Sequence, residues 1–153
     1  MPDRTDLALE LTMALGAAHR ALARGGDRAF RVHRLSHRAY AVLCAVDAGG
    51  ADGARLKDVA GSAGVSRAAA TTFVQRLEAK GLVETTSDPA DERGVRATLT
   101  RHGLEVLLRV GQLERRLAAR ATEGMPASAL LRVISVLRQL EHRVEEKQIH
   151  VVP

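Results

Sequence analysis

Residues 56–83 read LKDVAGSAGVSRAAATTFVQRLEAKGLV, and the fold turns on this stretch. A helix-turn-helix packs two helices steeply across a short turn. The close crossing asks for a small residue, which Ala60 supplies, and the turn for a residue tolerant of positive φ, which Gly64 supplies. Leu56 to Ala63 predicts the first helix. Ser66 caps a second that runs to Lys80, with Gly81 as its stop. Turning Val59, Ala63, Val65, Ala70, Phe73, Val74 and Leu77 inward leaves Arg67, Ala68, Thr71, Thr72, Gln75 and Arg76 facing out. A helix of this kind fits the major groove of duplex DNA, where base edges present distinct donor and acceptor patterns. Ala68 offers a methyl contact there but no hydrogen bond, whereas Ser66 can cap its helix and reach a phosphate.

Downstream, Leu82–Thr86 and Val95–Leu99 predict two strands joined by a tight polar loop, Ser87–Gly94. The hairpin is a wing. Arg93 sits near its tip, where a guanidinium can enter a narrow minor groove drawn by the negative potential. Asp91, two residues away, is placed to orient it by a charge-assisted hydrogen bond.

Upstream, Leu7, Leu11, Ala14, Leu15, Ala18 and Leu22 mark an amphipathic helix over 5–24. Gly25-Gly26 predicts a break, with Asp27 capping a restart that carries Ala29, Phe30 and Val32. Ser36 caps the next helix, whose buried face is Ala39, Val42, Leu43 and Val46, ending near Gly49-Gly50. Ala51–Ala54 is read as a turn without a strand. Beyond the wing, Thr100 caps a helix to about Ala121. After Gly124 and Pro126, Leu130, Ile134, Leu137, Leu140 and Val144 form a narrow apolar seam suited to another helix. The fold class is mainly α with a small β-hairpin wing: a winged helix-turn-helix flanked by dimerisation helices. Residues 1–34 and 101–153 supply those helices and residues 35–100 the winged lobe, all within one structural domain.

Composition narrows the function classes. The chain has 153 residues, enough for a real core. Its three aromatics, Phe30, Tyr40 and Phe73, argue against a surface that stacks single-stranded bases. The net charge is +5, yet residues 35–100 hold 8 basic and 8 acidic groups, so a nucleic-acid surface there depends on placement rather than bulk charge. One cysteine, no signal-peptide pattern and no bilayer-length apolar run predict a cytoplasmic protein without membrane contact. No phosphate loop, nucleophile elbow or interpretable carboxylate pair is present, so no enzymatic activity and no cofactor are expected. His33 and His37 have a helical ligand spacing, but Ser36 as a cap puts a helix boundary between them, and no metal site is assigned. Cys44 is read as a small buried helix residue rather than a redox switch.

Residues 35–104 resemble the MarR family of transcription regulators. Residues 35–43 resemble its second helix, Leu56–Ala60 with Gly64–Arg67 its helix-turn-helix, and Phe73–Val83 its recognition helix and approach to the wing. Asp91, Arg93 and Leu99-Thr100 match the family's wing motif of Asp, one residue, Arg, five residues, Leu-Thr, and Gly103 follows as in the family. The resemblance implies a homodimeric, sequence-specific regulator bound to a palindromic operator in double-stranded DNA, commonly a repressor released by a small aromatic or phenolic ligand. DNA contacts then fall to Ser66, Arg67, Ala68, Thr71, Thr72, Gln75, Arg76, Asp91 and Arg93. His19, Arg20, Tyr40 and Cys44 are the candidate ligand-lining residues. The neutral charge of 35–100 and the alanine run motivate a second reading, a winged-helix protein–protein interaction module with weak or lost DNA binding.

Overall fold

The structure is a computed structural model that describes residues 1–147, except for the side chains of Glu92, Arg93 and residues 145–147. The elements run α1 (Arg4–Ala29), α2 (His37–Asp47), β1 (Ala54–Arg55), α3 (Leu56–Ala63), α4 (Arg67–Ala79), β2 (Val83–Asp88), β3 (Asp91–Leu99), α5 (Arg101–Ala121) and α6 (Ala127–Lys147). Short 3-10 turns occupy Phe30–His33 and Gly50–Asp52. Among the described residues two compact units result, Met1–Ala118 and residues 119–147. No helix among the described residues is long and apolar enough to cross a membrane.

Within the first unit, Phe30, Val42, Leu43, Val46, Val59, Val74, Leu77, Val83 and Val110 are the large side chains withdrawn from solvent. They come from α2, α3, α4, β2, α5 and the 3-10 turn after α1, so one core holds the helix-turn-helix against the sheet. Each such burial contributes roughly 1.5–3 kcal/mol. Local signals set the boundaries. Ser36 Oγ accepts from the Ala39 amide at 3.1 Å, and Ser66 Oγ from the Ala69 amide at 3.1 Å. Gly64 ends α3 in the left-handed region, at φ 63°. Thr100 Oγ1 donates to the Gly81 carbonyl at 2.7 Å and accepts from the Gly103 amide at 2.9 Å, tying the start of α5 to the foot of the wing.

Three expectations need correction. First, α1 is continuous through Gly25-Gly26 to Ala29. The glycines are there for close approach: a Cβ on Gly26 would lie 2.6 Å from the His37 ring, and one on Gly25 would lie 3.1 Å from Leu117. The packing offsets the helix cost of about 1 kcal/mol per glycine. Asp27 does not cap a restart; its Oδ1 accepts from the His37 amide at 2.7 Å and so serves the start of α2. Second, the stretch read as a plain turn contains a strand. Ala54 and Arg55 pair antiparallel with Ala97 and Arg96, which gives a three-stranded sheet of order β1-β3-β2. Two residues carry no periodicity, and this strand exists only through its partner. The hairpin also pairs farther out than expected, with β2 reaching Asp88 and β3 starting at Asp91. Third, Cys44 is exposed rather than buried.

Candidate nucleic-acid interface

The second helix of the helix-turn-helix presents a polar face built by its own periodicity. Ala70, Val74 and Leu77 are buried, and Arg67, Ala68, Thr71, Thr72, Gln75 and Arg76 are all exposed, together with Ser66 at the cap. The Thr71 and Thr72 hydroxyls donate to the carbonyls of Arg67 and Ala68, each at 3.1 Å. With their protons so engaged, their outward lone pairs are suited to accept from an exocyclic amino group of cytosine or adenine. Gln75 carries both a donor and an acceptor, the pattern that pairs with adenine.

The helix is hydrogen-bonded to the wing. Thr85 donates to Glu78 Oε1 from its amide at 3.1 Å and from its hydroxyl at 2.6 Å, which joins the last turns of α4 to β2. At the tip the register shifts. Ser87 pairs with Val95, but Asp88 pairs with Asp91, so the residues between Asp91 and Val95 bulge. Bulges re-aim the side chains they carry. Arg93 lies in that bulged run of β3, and its side chain lies outside the described residues, as does its pairing with Asp91.

Between the wing and the amino-terminal end of α4 lies a cleft of about 590 Å³, with Arg55, Lys57, Arg67 and Thr71 among its lining residues. Arg67 and Thr71 were expected to face DNA; Arg55 and Lys57 were not singled out. The available signal was their place directly before and within the first turn of α3, since the amino-terminal end of a helix with added cations favours phosphate.

Beneath this surface is an interaction sequence reading missed. Asp88 is only 4% exposed. Its Oδ2 lies 2.7 Å from Arg55 Nε, and its Oδ1 accepts from Arg96 Nε at 3.0 Å and from the Ala90 amide at 3.1 Å. The Ala90 amide, together with the Arg96 and Arg55 guanidiniums, holds the carboxyl below the usual aspartate range despite its desolvation. Arg96 Nη1 continues the chain to the carbonyls of Asp52 and Gly53, each at 3.1 Å.

The candidate ligand-lining residues separate into two groups. His19 and Arg20 lie on the exposed middle of α1. Tyr40 and Cys44 are one helical turn apart on α2 and share a hydrogen bond. Burial and that bond push the Tyr40 hydroxyl up to about 12. Desolvation by the surrounding chain also raises the Cys44 thiol, although its side chain is exposed. Phe30 stacks on His37 at 6.1 Å and tilts against Tyr40 at 5.2 Å. His37 Nε2 lies 3.8 Å from Glu114 Oε1, and Glu114 Oε2 is buried with no hydrogen-bond partner. His33 sits on the 3-10 turn and His37 opens α2, so they share no helix face. Among the described residues, no three His, Cys, Asp or Glu side chains gather as a metal site.

Comparison with known proteins agrees with this geometry. Residues 35–95 match the MarR family model. No curated protein matches the chain in sequence. In structure it is similar to AbsC, a MarR family transcriptional regulator from Streptomyces coelicolor, with a TM-score of 0.79 at 20% identity over 95% of this chain and 97% of that one. It is also similar to a cysteine-to-serine mutant of Escherichia coli MarR complexed with operator DNA, with a TM-score of 0.77 at 21% identity over 91% and 99% of the two chains. A third is Bordetella bronchiseptica BpsR, whose DNA binding is regulated by 6-hydroxynicotinic acid, with a TM-score of 0.77 at 22% identity over 86% and 98%. Residues 35–95 thus match the MarR family model, and the chain has the winged-helix fold of the solved MarR-family structures.

Proposed function

We propose that the protein is a homodimeric, sequence-specific DNA-binding regulator, acting as a repressor that a small aromatic or phenolic ligand releases. The observation that carries this reading is the exposed polar face of α4, Arg67 to Arg76, joined to the wing by the Thr85–Glu78 hydrogen bonds. Gln75 and Thr72 read bases in the major groove. Ser66 and Arg67 position the helix on phosphates, and Ala68, Thr71 and Arg76 complete the contact face. Arg93, oriented by Asp91, reaches the minor groove. A protein of the same fold bound to operator DNA supports the DNA-binding reading.

One winged module buries about 600–1,000 Å² on DNA, modest for specificity, and a two-fold dimer doubles it over a palindrome. The exposed apolar residues of the terminal helices support the dimer: Leu7, Leu11, Leu15 and Leu22 on α1, and Leu131, Ile134 and Val144 on α6. The ligand reading rests on the Tyr40–Cys44 pair with the unpartnered Glu114 oxygen, and on a relative regulated by a hydroxylated aromatic acid. His19 and Arg20, exposed on α1, are assigned to the same site.

Titration against duplex DNA over a range of salt tests the DNA reading. A phosphate-contacting dimer loses affinity steeply as salt rises. Absence of binding at low salt favours the protein–protein interaction module instead.

A further inference from the structure

Arg55 on β1 and Arg96 on β3 are register partners, so two guanidiniums face each other across the ladder. Like charges directly opposite destabilise a sheet. Asp88 resolves the conflict from the far strand. It belongs to β2, which does not pair with β1, because β3 lies between them. Its carboxylate nevertheless meets Arg55 Nε at 2.7 Å and Arg96 Nε at 3.0 Å. Gly94 makes the reach across β3 feasible: a Cβ there would lie 2.8 Å from the Asp88 Cβ and 3.0 Å from the Asp91 Cβ. The outer strands are thus clasped over the middle one at the level of the bulge. β1 runs directly into α3, and Arg96 also holds the carbonyls of Asp52 and Gly53, so the clasp ties the wing tip to the helix-turn-helix.

We propose that Asp88 is a positioning residue of the DNA interface: clamped between Arg55 and Arg96, it sets the angle of the wing tip against the recognition helix and so the preference for base pairs flanking the major-groove contacts. Asp88 is buried and acts through other residues. The backbone of the wing tip runs through Arg93, and Arg55 lines the cleft shared with Arg67 and Thr71, so the tip backbone and the Arg55 guanidinium depend on the clasp for their placement. The proposal rests on the DNA-binding reading above.

The test uses the 153-residue chain and two duplex libraries. One has a fixed core half-site with randomised flanks, and the other has fixed flanks with a randomised core. Asp88→Asn removes the charge that neutralises both arginines. Arg96→Lys keeps a cation but loses the fork that spans Asp88 and the two carbonyls. Both variants are checked for a wild-type circular dichroism spectrum and for their folded fraction under binding conditions. The expected result is a fivefold or greater flattening of flank preference with core preference unchanged, larger in Asp88→Asn than in Arg96→Lys. If Asp88→Asn does not fold, Arg96→Lys still decides. A role confined to stability would lower core and flank binding together, in step with the folded fraction, and that outcome overturns the proposal. So does unchanged flank preference in a folded variant while the wild type shows one. A wild type that binds no duplex removes the DNA-binding reading itself, and the clasp's role with it.

Discussion

The winged lobe and the terminal helices use the same kind of apolar residue to opposite ends. In the lobe, Leu43, Val59, Val74 and Leu77 are withdrawn from water inside one chain. Along α1, Leu7, Leu9, Leu11, Met13, Leu15 and Leu22 remain exposed, as do Leu131, Val133, Ile134 and Val136 on α6. A monomeric protein rarely leaves apolar surface of that extent in water. The lobe completes its core within the chain, with Phe30 and Val110 closing it from either side, whereas the apolar stripes of the terminal helices are left facing water. In the proposed reading a second copy covers them, and the two-fold it creates gives the lobes their spacing on DNA.

The contrast is broken most severely by emptying the lobe. Leu43→Ala leaves a cavity in a fully buried site and should cost about 2–5 kcal/mol of stability, read from the shift in urea midpoint. Leu11→Ala, on the exposed stripe, should cost far less in chemical denaturation carried out at a dilution where copies are separate. Equal costs would erase the distinction between the regions.

The same stripe should govern assembly instead. Leu11→Asp combined with Ile134→Asp places charge on both apolar faces. The expected outcome is a halved mass by light scattering at tens of micromolar, with the circular dichroism of the lobe retained and operator affinity lost. A wild-type protein that is already monomeric at that concentration would contradict the dimer.

Within the lobe, recognition helix and wing separate more finely. Gln75→Ala should relax preference at one core position by about 1–3 kcal/mol. Arg93→Ala should cost a similar amount overall but flatten only a flanking A·T preference, and leave stability within about 0.5 kcal/mol of wild type. If Gln75→Ala leaves the full sequence preference intact, α4 is not the reading element.

The smallest effect lies where α2 meets α5. Tyr40 is the single tyrosine in a chain without tryptophan, so its ionisation can be followed by absorbance alone. Its pKa is raised from 10.0 to about 12. A raised folded pKa means that the native state holds the proton more tightly. The contribution to stability is therefore full below pH 10.0 and declines as pH rises toward about 12. A native midpoint at 10.0 would show that the hydroxyl is neither desolvated nor bonded to Cys44. Saturating a phenolic ligand at this site should shift the midpoint again.

Much of this architecture is legible in the sequence because it is local. Ser36, Ser66 and Thr100 cap the helices they were expected to cap, and Gly64 sits at the left-handed turn. Spacing alone sorted the exposed face of α4 from its buried one. The features that stayed hidden depend on partners far away in the chain. The cost of Gly25-Gly26 is local, whereas the gain lies in contact with Leu117 and His37. β1 has two residues and no pattern of its own. Asp88, beside Pro89, has the signature of a turn, and only the folded sheet brings Arg55 and Arg96 to it. Cys44 lies on a helix whose apolar neighbours are buried, and its exposure follows from facing away from the core.

Whether a second copy covers the terminal helices, so that two lobes read DNA together, is decided by selecting bound sequences from random duplex DNA with the 153-residue chain. The expected product is an enriched palindrome whose half-sites are separated by about one helical turn, 10–10.5 base pairs, or a multiple of it. Binding to it should be lost in the Leu11→Asp, Ile134→Asp variant. Enrichment of a single unpaired half-site, or of no sequence at all, would contradict it.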